Sequence, residues 1–159
     1  MLHDAPQFLL ALEQSSFAAA IRQSTWAYPA ANVGHIVALT VFAASVAIMD
    51  LRLLGAFAAS PPAVVVRPAR RAAMLGLLAM AGTGFMLFAA EASHVAFNPV
   101  FQIKAALIAL GIANALLVAP ALDGTPAFTV LPPRVRLAAA LSLGIWLLVA
   151  ACGRLIAYF

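Results

Sequence analysis

The chain has 159 residues, of which 65% are hydrophobic and only 9% are charged, and its mean hydropathy is +1.05. Soluble domains carry about 25% charged residues, so this composition excludes a soluble globular protein and indicates an integral membrane protein. The net charge of +4 does not indicate a nucleic-acid partner. The nine lysines and arginines lie mostly at the ends of apolar segments, where positive charge orients membrane helices.

Four long apolar segments predict an all-α fold, an integral membrane four-helix bundle, in a single domain that covers residues 1–159. A helix needs about 20 apolar residues to span the bilayer, so four spans and their short connections use most of the chain. Small residues along the spans permit close helix contacts. We therefore expect the lipid bilayer as a partner and a homo-oligomer as the assembly.

The first predicted element is an amphipathic helix at residues 6–24 that lies in the membrane interface. Leu9 and Leu12 recur at helical spacing on a face that excludes Glu13. Opposed apolar and polar faces of this kind are typical of interfacial helices. Trp26 follows and marks the level of the lipid headgroups, where aromatic residues are enriched.

Four spans follow, predicted at residues 30–54, 72–96, 99–120 and 137–157. A Pro-Pro loop separates the first two spans, and Asn98 and Pro99 make a tight turn before the third. Proline is tolerated in the first turn of a helix, so Pro99 is expected to begin the third span. A turn-rich loop at residues 121–134 precedes the last span.

The basic residues are unequally divided between the two sides of the predicted bundle. Six lie on one side and three on the other, namely Arg52, Arg67, Arg70, Arg71, Arg134 and Arg136 against Arg22, Lys104 and Arg154. Loops on the cytoplasmic side carry the excess of lysine and arginine. We therefore expect a multi-pass protein of the bacterial inner membrane with both termini on the periplasmic or exterior side.

Two histidines stand out, because ionisable residues inside a membrane are costly and each is a functional candidate. His35 lies early in the first span and His94 ends the second, and the antiparallel path brings both toward the same side. Two histidines from facing helices of a bundle can bind a haem iron from both sides. The sequence thus predicts haem b with His35 and His94 as metal ligands. The simpler alternatives are a His35 imidazole bonded to a neighbouring helix and a solvated His94.

Three charged residues are expected to complete the predicted haem site. Arg22 and Lys104 lie on the same side and can neutralise the propionates, although Lys104 can also simply snorkel to the membrane edge. Glu91, three residues before His94, can orient a metal-binding imidazole or mark the edge of the bilayer. Room for a flat macrocycle is expected at four glycines in the spans, Gly76, Gly82, Gly84 and Gly111.

A polar pair closes the first span at its other end. Asp50 and Arg52 are two residues apart, and residues at that spacing do not face each other on a helix. Each is expected either to meet another helix or to anchor the orientation of the span at the membrane edge, and the anchoring role is favoured.

Copper is the second cofactor that the sequence predicts. His3 is the third residue of the chain, so the terminal amine, two amides and the imidazole can form a square-planar nitrogen set for Cu(II). Cys152 is the only cysteine, which excludes a thiolate cluster and a covalently attached haem within one chain. Hydrolase, ATPase and metalloprotease motifs do not occur in the sequence.

Three stretches of the sequence carry a family resemblance. They are STWAYP at 24–29 followed by His35, DLRLLG at 50–55, and NPVFQIK at 98–104 followed by Asn114. Together they resemble a family of small, uncharacterised bacterial four-helix membrane proteins over nearly the whole chain.

A more distant similarity concerns chemistry. The early histidine of the first span and the aromatic-x-x-Lys opening of the third span are similar to four-helix b-type haem proteins. These include the membrane protoporphyrinogen oxidase of bacteria and the copper-resistance D group. The similarity implies a haem or copper site at His35 with Lys104 nearby.

The leading hypothesis is a membrane b-type cytochrome that holds haem b between helices near the outer leaflet. It would serve electron transfer or haem-linked redox chemistry, with His94 or a methionine opposite His35 and a redox partner that the sequence leaves open. Any enzyme activity would be that of a haem-linked oxidoreductase. One alternative is a copper-handling or small-solute transport component without haem, and another is a structural oligomeric membrane protein.

Overall fold

A computed structural model describes residues 6–57, 59, 61–123 and 131–158. The α-helices in this part of the chain are α1 (Gln7–Glu13), α2 (Ser16–Gln23), α3 (Ala27–Leu54), α4 (Pro62–Ala90), α5 (Ala92–Val95), α6 (Pro99–Asp123) and α7 (Pro133–Leu155). A 3-10 turn at Ile156–Tyr158 follows α7. Four of the helices, α3, α4, α6 and α7, are long and apolar enough to cross a membrane. The predicted all-α membrane fold with a short N-terminal helical region is therefore confirmed.

The N-terminal segment folds as two helices, α1 and α2, where the sequence predicts one. The break lies at Ser15, whose hydroxyl donates to the carbonyl of Leu12 at 2.6 Å and accepts from the amide of Ala18 at 3.2 Å. Serine is a preferred residue before a helix because its side chain satisfies one of the unpaired amides of the first turn. The polar residues here thus cap a helix instead of continuing one.

The second span differs from the prediction at both of its ends. α4 begins at Pro62, so Arg67 lies on the helix and not in the loop before it. At the other end α4 stops at Ala90, because Glu91 has φ −140° and ψ 37°. The separate turn α5 follows, so the predicted span at 72–96 is not one helix. The prolines explain why α4 begins earlier than predicted. The first amides of a helix have no hydrogen-bond partner within it, so a proline at this position removes no hydrogen bond.

α3 is the central helix of the bundle. It packs antiparallel along α4 and also against α7, whereas α6 packs chiefly against α7. Within the most apolar window of each span, 39% of the residues of α3 are buried but only 6% of those of α6. The main contacts between spans therefore join α4 to α3, α3 to α7 and α7 to α6, and α6 is the least buried of the four spans.

Two glycines set how closely the helices approach. A Cβ atom on Gly76 of α4 would lie 3.0 Å from the Cα atom of Phe42 on α3. Phe42 in turn meets Trp146 of α7 edge to face, with ring centroids 4.6 Å apart. A Cβ atom on Gly111 of α6 would lie 2.7 Å from the Trp146 indole. Gly76 and Gly111 are thus filled by neighbouring helices and leave no room for a macrocycle.

The bundle has two ends that differ in chemistry. We call the end where α3 begins the His35 end, and the end where α3 stops the Asp50 end. Phe88 of α4 stacks on Phe101 of α6 at the His35 end, with centroids 5.4 Å apart. The Asp50 end has an apolar core of Leu53, Val66, Val135 and Ala139.

Candidate functional site

The structure pairs His35 of α3 with Thr83 of α4. Nδ1 of the imidazole lies 2.9 Å from the Thr83 hydroxyl oxygen, and the ring is half-buried. The two residues come from adjacent antiparallel helices, so the contact also fixes the register of α3 against α4. A hydrogen bond between two helices at this depth is consistent with both predictions for His35, the metal ligand and the helix-joining residue.

The hydrogen bonds of Thr83 decide which nitrogen of His35 carries the proton. The Thr83 hydroxyl donates to the backbone carbonyl of Ala79 at 2.8 Å, one turn earlier on its own helix. A hydroxyl has a single proton to donate, so toward His35 it accepts. This arrangement favours the tautomer with the proton on Nδ1 and the lone pair of the neutral imidazole on Nε2, because a hydroxyl that donated to Nδ1 would give up its bond to Ala79.

Small residues bring the two helices together around this imidazole. A Cβ atom on Gly84 would lie 3.2 Å from Cε1 of His35, and one on Gly34 would lie 3.4 Å from the Thr83 methyl group. The first distance is shorter than most carbon contacts in proteins. The sequence predicts room for a macrocycle at Gly84, but the His35 ring occupies the space beside this glycine.

Lys104 of α6 also acts on His35. Its ammonium would be 3.6 Å from a Cβ atom on Gly153 of α7, so the half-buried side chain runs from α6 across α7. Its charge reaches the His35 imidazole. The structure thus places one of the two predicted propionate partners near the predicted ligand.

His94 has different neighbours from His35. It lies in the short turn α5, its side chain is exposed, and its charge acts on Glu13 of α1. Thr83 is level with His35, and α4 runs on from Thr83 to Ala90, which is about 10 Å at a rise of about 1.5 Å per residue. His94 follows beyond that point, so the described contacts do not bring the two histidines together.

Arg22 and Glu91 take part in contacts at the His35 end. Arg22 donates from Nη1 to the carbonyl of Ala90 at 2.8 Å, where the unpaired carbonyls at the end of a helix attract a cation. The Tyr28 hydroxyl donates to Glu91 at 3.4 Å. Arg22 thus caps the C-terminal end of α4, and Glu91 faces Tyr28 of α3. Their predicted roles toward a haem and toward His94 stay predictions.

Glu13 fastens the N-terminal helices to the same end of the bundle. Its carboxylate accepts from the amide of Ser93 at 2.7 Å, across the junction of α1 and α5. The hydrogen bonds from Ser93 hold the pKa of Glu13 below its ordinary value, and the charges of Arg22 and His94 act in the same direction. Sequence reasoning placed Glu13 only on a polar face, since nothing local indicates a partner this far along the chain.

Sequence reasoning found His35 and Lys104 and missed Thr83. A threonine in an apolar span is a visible signal, because its hydroxyl must be satisfied inside the membrane. It points to no particular partner, however, since α3 and α4 are apolar around most of their circumference. Only the packing of the two helices brings Thr83 to the level of His35.

Two further predictions concern metals and cavities. In the described residues, no group of three or more His, Cys, Asp or Glu side chains could hold a metal ion, and His3 lies outside those residues. A cavity of about 380 Å³ lies between α6 and α7, lined by residues that include Asn114, Leu117 and Arg134. This cavity is toward the Asp50 end and does not include His35.

The four apolar helices define a multi-pass membrane protein with His35 and Thr83 paired between two of its spans. The chain belongs to a family of unknown function, DUF6644, whose family model matches residues 14–159. This confirms the predicted membership of an uncharacterised membrane family and carries no information on a cofactor. No curated protein and no solved structure matches the chain.

Proposed function

We propose that this protein is a membrane b-type cytochrome in which Nε2 of His35 binds the iron of a haem b. The observation that carries the proposal is the hydrogen bond between His35 and Thr83, which favours Nδ1 as a donor and the lone pair on Nε2. Metal-binding histidines almost always donate their other N–H to an oxygen acceptor in this way. A bound haem supplies one-electron transfer.

The surroundings of His35 support a haem more than a bare metal ion. A haem brings four of its own nitrogen ligands and needs only one or two from the protein, whereas a structural or catalytic metal ion needs three or four. The described residues offer single donors and no larger cluster. Lys104 supplies a positive charge near His35, as the propionates of a haem require.

The opposite axial ligand is a separate part of the proposal. His94 remains the predicted candidate, with a methionine as the alternative, but its exposure and its position beyond the end of α4 require a rearrangement of α5. His35 is common to every version of the site. His94→Ala therefore tests the opposite ligand separately from His35, since it removes an imidazole of α5 without touching the packing of α3 on α4.

The location and assembly are proposed on the sequence pattern alone. The excess of basic residues at the Asp50 end favours that end in the cytoplasm and both termini outside, which places His35 near the outer leaflet. A reporter enzyme fused to the C-terminus tests this, and activity confined to the cytoplasm would contradict it. Copper at His3 and a homo-oligomer remain predictions.

Visible spectroscopy tests the haem directly. We would purify wild type, His35→Ala and His94→Ala in mild detergent from cells well supplied with haem, and record oxidised and dithionite-reduced spectra. The proposal predicts sharp α and β bands on reduction in wild type, lost in His35→Ala. Retained bands in His94→Ala would assign the opposite position to another donor.

The alternative that His35 only joins α3 to α4 predicts a different result. Folded wild-type protein without a Soret band would overturn the haem proposal and leave His35 as a helix-packing residue. Bands that survive in His35→Ala would keep the cytochrome and remove His35 as its ligand. Circular dichroism of each variant shows whether a loss of colour reflects lost ligation or lost structure.

A further inference from the structure

Asp50 is a second ionisable side chain on α3, at the opposite end from His35. The two residues are separated by about 22 Å along the helix axis at a rise of about 1.5 Å per residue. The favoured prediction for Asp50 was an anchor at the membrane edge. Instead, its side chain is only 1% exposed, so it is inside the bundle.

The carboxyl of Asp50 faces a neutral partner. The Ser142 hydroxyl of α7, itself a buried side chain, lies against it. Its Oδ2 atom is buried and has no hydrogen-bond partner among the residues that the structure describes. The apolar core formed by Leu53, Val135 and Ala139 begins one turn away. A carboxyl in such surroundings lacks the solvation that an ionised form requires.

The charged groups on the surrounding helices are all arginines. Arg52 lies on α3 itself, and the helices packed against it carry Arg67, Arg70, Arg71, Arg134 and Arg136. Arginine does not lose its proton in proteins. Among the described residues that α3, α4 and α7 contribute at this end, Asp50 is therefore the side chain that can exchange a proton.

The free energy of burying the Asp50 carboxyl decides whether its neutral or its ionised form is favoured. An isolated buried carboxylate costs far more than a buried neutral acid, and such groups take up a proton instead. The group recorded against the Asp50 carboxyl is the Ser142 hydroxyl, which carries no charge and cannot neutralise one. A hydroxyl can donate to a carboxyl oxygen or accept from a carboxyl O–H group, so Ser142 can bond either form and the cost of burial is what separates them.

We propose that Asp50 is an exchangeable proton-binding site of this bundle, which fills as the pH falls below neutral and is separate from the site at His35. Its carboxyl binds a proton from water and releases it to water, and no other bond is made or broken. The inference does not rest on the haem, because nothing at the Asp50 end includes His35 or its partners. The apoprotein should bind the proton as well.

Infrared spectroscopy detects the bound proton. A protonated carboxyl has a carbonyl stretching band above the amide region, which an ionised carboxylate lacks. We would record spectra of wild type, Asp50→Asn and the control Glu91→Gln, whose carboxyl is exposed, at about pH 6 in water and in deuterium oxide. The expected result is a band in wild type and Glu91→Gln, shifted by deuterium and absent from Asp50→Asn.

Three results would overturn the proposal. One is a wild-type spectrum without the band, which would mean that Asp50 is ionised and held by cations. Another is a band that does not shift in deuterium oxide, which would mean a locked structural proton. The third is loss of the band on adding sodium chloride at constant ionic strength, which would assign the site to sodium.

A second variant covers the case in which Asp50→Asn does not fold. Ser142→Ala removes the neighbouring hydroxyl and keeps the carboxyl, so the band should remain and move to higher frequency as the carbonyl loses a neighbour. A band unaffected by Ser142→Ala would come from another carboxyl and would contradict the assignment to Asp50. Failure of the haem experiment leaves all of these results unchanged.

Discussion

At the scale of single residues, Thr83 controls the electronic character of His35. An imidazole that donates from Nδ1 to an oxygen is a stronger donor at Nε2, and loss of such a partner typically costs about 10-fold to 100-fold in metal affinity. The Thr83 hydroxyl can accept because its own proton is committed to Ala79. The haem proposal therefore makes Thr83 a positioning residue for His35.

Thr83→Val removes this acceptor with little change of shape. We expect haem affinity to fall about tenfold or more and the midpoint potential to rise, because a weaker imidazole donor stabilises ferric iron less. Haem titration and redox potentiometry of the purified variant measure both. Thr83→Ser keeps the hydroxyl and should restore wild-type values. Equal behaviour of the valine and serine variants would contradict the role given to Thr83.

Gly84 and Gly82 offer a matched pair of substitutions on α4. A Cβ atom on Gly84 would crowd Cε1 of His35 at 3.2 Å, whereas one on Gly82 meets nothing within 4 Å. At either position, replacing glycine by alanine improves the helix propensity by about 1 kcal/mol. We expect Gly84→Ala to lower the haem content of purified protein and Gly82→Ala to leave it unchanged. The same haem content in both would show that the ring is not confined by α4.

At the scale of elements, the carboxylate of Glu13 docks α1 on α5. The pKa of Glu13 is held below its ordinary value of 4.5 by hydrogen bonds from Ser93. A lowered pKa means that docking is stabilised above the ordinary pKa and that the stabilisation is lost as pH falls through the lowered one. The charges of Arg22 and His94 lower the pKa of Glu13 further.

Acidification should therefore release α1 from α5 while the spans stay folded. We expect the protection factor of the Ser93 amide, which corrects for the intrinsic pH dependence of exchange, to be high and constant from neutral pH down to about 4.5, the ordinary pKa of Glu13, and to fall below that pH. Glu13→Gln should show weak protection at every pH. Protection in wild type that is independent of pH across this range would contradict docking through the Glu13 carboxylate.

The contact of α3 with α4 depends on Gly76. A Cβ atom there would press on the backbone of Phe42 at 3.0 Å, and overpacking of this kind costs about 1–3 kcal/mol. The gain in helix propensity is about 1 kcal/mol, so the clash should win. We expect Gly76→Ala to unfold at lower temperature than wild type and Gly82→Ala to unfold slightly higher. A more stable Gly76→Ala would show that the helices are further apart.

The existence of the four long helices could be predicted from the sequence because hydropathy alone decides it. Pro99 was correctly placed at the start of a helix because a proline after Asn98 suits a first turn. The early start of α4 at Pro62 was missed because two adjacent prolines are equally typical of a loop. Ser15 was missed as a cap because the polar face of a helix also contains serine.

The partners of the candidate site could not be predicted in the same way. α3 is apolar on nearly every face, and exposed side chains such as Val33 and Val37 are as hydrophobic as the buried Phe42. The rotation of the helix, and with it the choice of Thr83 for His35 and Ser142 for Asp50, is set by packing. Hydropathy has no means of fixing that rotation in a membrane helix.

At the scale of the whole molecule, α3 joins two polar sites in opposite halves of one apolar bundle. His35 meets α4 and the charge of Lys104 from α6, and Asp50 meets α7. Between the two sites, Phe42 of α3 packs against Gly76 of α4 and Trp146 of α7. Each site can thus be altered without touching the other, so the haem and proton proposals are tested separately.

The most direct test of the central claim is chemical rescue of the ligand. His35→Gly removes the imidazole and leaves a space of its size, and free imidazole added to the purified variant can occupy it. We predict that the reduced α and β bands are absent from His35→Gly and return with imidazole, more weakly in a variant that also carries Thr83→Val. Spectra that do not change with imidazole, in protein whose circular dichroism matches wild type, would contradict His35 as the haem ligand.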